Sequence, residues 1–172
     1  MRIACTVAPG KGDTDLLLER LARRLAARGL RLCGTVQTNT ECADGLCDMD
    51  VQVLPDGPVL RISQSLGAGA RGCRLDPAAL ETAVGLVGAR LRGGADLLMI
   101  NKFGKQEAEG HGFRDVIAEA LAMEVPVLVG LNGLNQDAFD AFAQGLAERL
   151  APDPDALEAW ALSAVPGMVP AK

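Results

Sequence analysis

The sequence predicts an α/β protein with helices on both faces of a mainly parallel sheet. Apolar runs of strand length alternate with segments whose leucines and valines repeat at helical spacing. One run, "ADLLMIN" (95–101), is apolar almost throughout, as a strand covered on both faces must be. The connections are short, and the right-handed crossover rule places the loops that leave the strands' carboxyl ends along one edge.

Residues 2–7 read as the first strand. A helix follows over 14–28, with Leu17, Leu18, Leu21 and Leu25 on one side, arginines largely on the other, and Gly29 after its end. Residues 30–37 form a second strand and 39–47 a polar loop. Residues 50–54 and 59–63 form a small β-hairpin around "PDGP". "SLGAGARGC" (65–73) is a flexible glycine-rich loop. Asp76 and Pro77 open another helix as N-cap and first helical residue, with Leu80, Val84, Val87 and Leu91 facing inward. After strand 95–101 come a helix over 113–123, a strand over 126–131 and a helix over 136–150. A short helix after Pro152 packs Trp160 onto the body. The expected whole is one domain over 1–172, with 152–172 as a C-terminal extension packed on it. Segments 2–28 and 95–101 should be sheet neighbours, with Gly12 and Asn101 at the same edge.

Composition removes several classes of function. A net charge of −5 gives no basic footprint for nucleic acid or anionic lipid, and 3% aromatic residues leave little for base stacking. No run is long enough to span a bilayer and there is no signal-peptide core, so the chain reads as soluble and cytoplasmic. Five cysteines are an odd number for a disulfide framework. Cys5 and Cys33 fall in buried strands. Cys42, Cys47 and Cys73 fall in loops, and with His111 as the only histidine they do not make a four-ligand zinc set, so no metal site is assigned.

Three loops should gather at the ligand-binding edge: 8–15, 65–74 and 101–112. The first lies in "TVAPGKGDTDLLLERL" (6–21), a strand–glycine turn–helix in the setting of a P-loop. Against G-x-x-x-x-G-K-[ST], Gly12 and Thr14 fit, Val7 stands at the first glycine and Asp13 at the lysine. Gly10 and Gly12 can turn backbone N–H groups toward an anion, and Lys11 adds attraction. Asp13 and Asp15 oppose it, since one charge about 5 Å from another costs roughly 3 kcal/mol at an effective dielectric of 20. In the other reading Asp13, Thr14 or Asp15 simply caps the helix, and for Asp13 the cap is the favoured role. The third loop, in "LLMINKFGKQEAEGHGFRD" (97–115), begins like the guanine-reading N-K-x-D motif but has Gly104 at the carboxylate position. Its Lys102, Lys105, Glu107 and Glu109 suit a solvated loop, whereas Gly104, Gly110 and Gly112 suit close approach to a ligand.

Together these segments resemble the small P-loop nucleoside triphosphatases first described from thermophiles, in which a strand ending "D-E-I-G-x-M-E" carries the Walker B acids. "NKFGKQE" occupies that place and keeps Gly104 and Glu107. "SQSLGAGARGCRLDPAALE" and "LLMINKFGKQEAEGHGFRDVIAEAL" look like a bacterial domain-of-unknown-function family related to those enzymes, often encoded near molybdenum-uptake or molybdoenzyme genes. That likeness covers nearly the whole chain. It implies a three-layer P-loop-NTPase-like fold and a nucleotide held with magnesium. Three departures weaken the chemistry: Asp13 at the Walker A lysine, and Asn101 and Lys102 at the Walker B acids.

The resulting expectation is a protein that binds a small anion (nucleotide, phosphate or a molybdate-like oxyanion) with little or no hydrolysis, as an accessory in molybdenum metabolism. Its site would draw on Gly10, Lys11, Gly12, Asp13, Thr14, Asn101, Lys102, Gly104, Lys105 and Glu107. The alternatives are a regulatory or interaction protein that keeps the fold without a ligand, and a triphosphatase with rewired catalytic residues. Homo-oligomerisation stays open.

Overall fold

The computed structural model describes residues 2–41, 47–64, 74–165 and 167. The sequence-predicted loop 65–73, with Cys73, lies outside them, as does Cys42.

Seven strands form one sheet in the order β4-β3-β2-β5-β6-β1-β7. They are β1 (Ile3–Thr6), β2 (Leu32–Glu41), β3 (Cys47–Val53), β4 (Val59–Arg61), β5 (Leu97–Phe103), β6 (Val127–Leu131) and β7 (Ala147–Leu150). The five strands from β2 to β7 in that order are parallel, and β3 and β4 add an antiparallel meander at one edge. The helices are α1 (Asp13–Ala27), α2 (Pro77–Arg92), α3 (Lys105–Ala108), α4 (Arg114–Ala122), α5 (Gln136–Ala143) and α6 (Pro154–Ala164).

Strand alternation divides the apolar residues between two faces. Leu98 and Ile100 of β5 meet Val87 and Leu91 of α2, Ile117 of α4 and Phe139 of α5. Leu97 and Met99 meet Leu18, Leu21 and Leu25 of α1 and Leu157 and Trp160 of α6. Glu158 of α6 is buried and pairs with Arg24 and Arg28 of α1, so its charge is answered where it lies. Asp76 caps α2 as expected, its carboxylate accepting from the Ala78 and Ala79 N–H groups. Cys5 and Cys33 are free and buried, and burial pushes the Cys33 thiol up to about 11.

Three expectations change. The helix expected over 136–150 ends at Ala143, because Gln144 (φ 51) and Gly145 (φ 74) turn the chain, and Ala147–Leu150 then pairs with β1 as an edge strand. The second strand runs on to Glu41 instead of yielding to a loop at residue 39, because Asn39, Thr40 and Glu41 pair with Met49, Asp48 and Cys47. The segments 2–28 and 95–101 share one parallel sheet, but β6 is inserted between β1 and β5. The apolar run of β6, buried at all five residues, suits that central place.

Candidate functional site

The β1–α1 turn and the end of β5 meet at the carboxyl edge of the sheet. What lets them meet is Gly130 on the intervening β6. A Cβ there would collide with the Asn101 carbonyl oxygen and stand 2.7 Å from Leu18 Cδ1 and 3.0 Å from Thr14 Cγ2. The head of α1 therefore seats directly over β5.

Gly12 is the N-cap of α1, in the left-handed conformation (φ 82) that glycine adopts without strain, and no side chain caps the helix. The expected cap is thus absent for all three candidates. Asp13 is the first helical residue, exposed, with its carboxylate folded against Gly10. Thr14 is buried and its hydroxyl accepts from the Ala8 N–H (2.9 Å), closing the turn on itself. Asp15 is turned inward, 2% exposed, under the turn. Lys11 and Gly10 stay at the surface beside the helix start.

Asp15 is the hub of the site. Asn101 Nδ2 donates to its Oδ1 at 2.7 Å, Asn39 Nδ2 donates to its Oδ2, and Lys102 Nζ lies 3.3 Å from the same oxygen. The network continues outward: Gln37 Nε2 donates to Asn39 Oδ1 (2.8 Å), and the Gln37 backbone N–H donates to Asn101 Oδ1 (3.0 Å). The one buried charge in it, that of Asp15, has a cation and two carboxamides as partners. The acid missing from the end of β5 is in effect supplied from α1, but it faces lysine and amide donors. Such a donor set does not fit a resident magnesium ion. Thr14 and Asp15 are engaged, Asn101 is neutral, and the described residues hold no cluster of three or more His, Cys, Asp or Glu side chains suited to a metal.

The remaining expected site residues divide. Gly104 and Lys105 lie at the rim, and Lys105 pairs loosely with Glu109 (3.6 Å), both exposed. Glu107 is buried and turned into its own loop, accepting from the N–H groups of Gly104 (2.9 Å) and Phe113 (3.0 Å). Burial pushes its carboxyl above the usual range, and the two N–H groups partly offset that. Its contacts are those of a loop staple, and a Cβ at Gly112 (φ +60) would collide with it.

Beside this network lies a cavity of about 400 Å³, reached by Gln37, Asn101 and Lys102 from the sheet and by Gly104, Lys105 and Glu107 from the third loop. None of the residues 10–14 lines it. The structure thus joins the two sequence-predicted groups through Asp15 but leaves them on different surfaces. Thr35, Gln37 and Asn39 were not singled out from the sequence. The signal was there: alternate positions of one strand carrying Thr, Gln and Asn, where a sheet interior calls for apolar side chains.

Because Asp13 makes no cap, Asp13→Lys tests the turn alone. Replacing an exposed repulsive charge should strengthen triphosphate binding, by less than the several kcal/mol that unscreened charges at roughly 5 Å would give. The stability should fall by no more than about 1 kcal/mol, because the helix N-terminus loses one favourable charge and no cap. Titration with ATP alongside the melt checks both. Lost stability with no gain in binding would return Asp13 to a purely structural role.

The geometry agrees with the proteins that resemble this one. A human cancer-related nucleoside triphosphatase, known from its solution structure, superposes with a TM-score of 0.59 at 20% identity over 87% of each chain. That likeness confirms the P-loop-NTPase-like fold. The molybdenum import ATP-binding protein ModC 2 of Bradyrhizobium diazoefficiens is 37% identical over 161 residues, 92% of this chain but only 18% of that much longer protein. Residues 3–160 match one family model, and the chain belongs to that family, described as "Protein of unknown function (DUF2478)".

Proposed function

We propose that the protein binds a nucleotide or another small anion, such as phosphate or a molybdate-like oxyanion, without efficient hydrolysis, as an accessory in molybdenum metabolism. The observation that carries this is the Asp15–Asn101–Lys102 network. Phosphoryl transfer needs cations and a metal to neutralise charge that develops on the transferring group. Here the position is held by a buried carboxylate whose lysine is already committed to it.

Support for binding comes from the turn. Gly12 starts a 15-residue helix that has no side-chain cap, and the exposed Lys11 stands beside it. Support for the molybdenum link comes from the relative named for molybdenum import and ATP binding. That same relative favours a second reading. The matched region is 18% of a larger protein, as befits a module that works attached to others and keeps the fold without a ligand.

A thermal-shift panel of ATP, GTP, ADP, phosphate, molybdate and tungstate separates the two. A ligand at 100 times its dissociation constant should add about 2.7 kcal/mol of stability. No shift with any of the six would favour the interaction module. Magnesium-dependent ATP or GTP turnover should stay below roughly 0.01 per second, about the rate of a slow P-loop GTPase. Turnover near 1 per second that disappears in Lys11→Ala or Lys102→Ala would instead establish a rewired triphosphatase.

A further inference from the structure

The 400 Å³ cavity has features that the turn at residues 8–15 does not explain. It lies on the α2 face of the sheet, over the middle of β2 and of β3. Its size falls within the range of about 300–1,000 Å³ typical of small-molecule sites. Its walls are apolar, from Val51 of β3, Ile62, Leu80 at the start of α2 and the ring of Phe113. Its floor is polar. Thr35 and Gln37 of β2 line it at 2% and 6% exposure.

Those two side chains carry atoms without partners. The Gln37 amide nitrogen is spent on Asn39. Among the described residues, neither the Gln37 side-chain carbonyl nor the Thr35 hydroxyl has a hydrogen-bond partner. Neither atom is sealed in the interior; both open onto the cavity, where a solvent or ligand group can reach them. Across the cavity the turn after β6 offers more of the same chemistry. Asn132 Oδ1 is taken by Asn135, while the amide nitrogen of Asn132 and the side-chain oxygen of Asn135 have no partner among the described residues.

A slot with apolar faces, one aromatic wall, and unpaired donors and acceptors at its edges is complementary to a flat molecule with two apolar faces and a polar perimeter. An alkyl chain would leave the floor unsatisfied, and a simple oxyanion would leave the walls uncovered. We infer that this cavity is a binding site for a fused-ring nitrogen heterocycle of the purine or pteridine type. It is separate from the anion-binding turn: Thr35 hydroxyl and Gln37 carbonyl read the ring edge, and Val51, Leu80 and Phe113 cover its faces. Asn101 and Lys102 border both regions, but the cavity does not rest on the function proposed above, since none of the residues 10–14 reaches it.

The probes are adenosine, guanosine and neopterin, none of which carries a phosphate. At least one should bind the intact protein with a Kd tighter than about 1 mM by isothermal titration. Thr35→Val, of nearly the same shape, should weaken that binding at least about tenfold while leaving the ligand-free protein no less stable, because the lost hydroxyl had no partner. Leu80→Trp should fill the slot and abolish binding, and if it fails to fold, Thr35→Val alone decides. Failure of all three probes to bind, or binding indifferent to Thr35→Val, overturns the inference. Inorganic phosphate and tripolyphosphate, which carry no ring, are titrated in parallel and keep the two ideas apart. Their binding without the heterocycles supports the turn and rejects the cavity, and heterocycle binding without theirs does the reverse.

Discussion

Asp15→Ala should destabilise the protein by about 3 kcal/mol in denaturant melts, more than any other single change in the site. Removing one partner of a buried ion pair costs about 3–5 kcal/mol, because the other charge is left uncompensated. Lys102 is about a third exposed and can recover some hydration, which places the effect at the low end. Asn39 and Asn101 lose an acceptor in the same step. Lys102→Met in the Asp15→Ala background should regain part of the loss, giving a coupling energy above about 1 kcal/mol. A loss of less than about 0.5 kcal/mol in the single variant would mean that the network does not hold the head of α1 to β5.

Gly130→Ala should cost almost as much, about 3 kcal/mol, from a single methyl group. Overpacking a close-packed interior costs about 1–3 kcal/mol, and more where the neighbour cannot move. Here the nearest neighbour is the Asn101 carbonyl oxygen, part of the central strand, with Leu18 Cδ1 2.7 Å away on the helix side. Relief requires β6 to shift away from β5 and α1 to lift off the sheet, which also separates Asp15 from Asn101. Gly133→Ala is the control, since a Cβ at that position meets nothing within 4 Å. Equal stability of the two variants would show that β6 has room to shift.

The fold class was legible because it depends on period and order, which survive errors at element ends. Leucines at 17, 18, 21 and 25 could face one way only as a helix, and Asp76-Pro77 could open one. The seventh strand was not legible. "LAERL" has helical composition, and only Gly145 marked the break. Its strand state is set by the free edge of β1, a tertiary fact. The insertion of β6 between β1 and β5 follows from pairing choices that local sequence does not encode.

In the site, comparison with a lysine-bearing loop drew attention to Asp13, which proves exposed. Asp15 was read as an opposing charge or a cap. Yet residues 15, 18, 22 and 25 form one helical stripe, all buried, and an acid at the head of such a stripe needs partners from the sheet below. Glu107 was legible as a special residue but not in its role, because the two N–H groups it holds come from its own loop.

The place of β1 has a consequence for how the chain folds. Ile3 pairs with Val127 on one side and Ala147 on the other, so the first strand made is the last to find both neighbours. Contacts of such wide sequence separation form late, because loop-closure entropy must be met before they contribute. By contrast β2, β3 and β4 pair with near neighbours in sequence and can form early. During synthesis, then, α1 can pack on β2, which follows it directly, while β1 waits for more than a hundred further residues before its two strand partners exist. The candidate site comes into being only at that final step, when α1 closes over Gly130 and Asp15 reaches Asn101. The site's formation and the completion of the sheet are therefore one kinetic event.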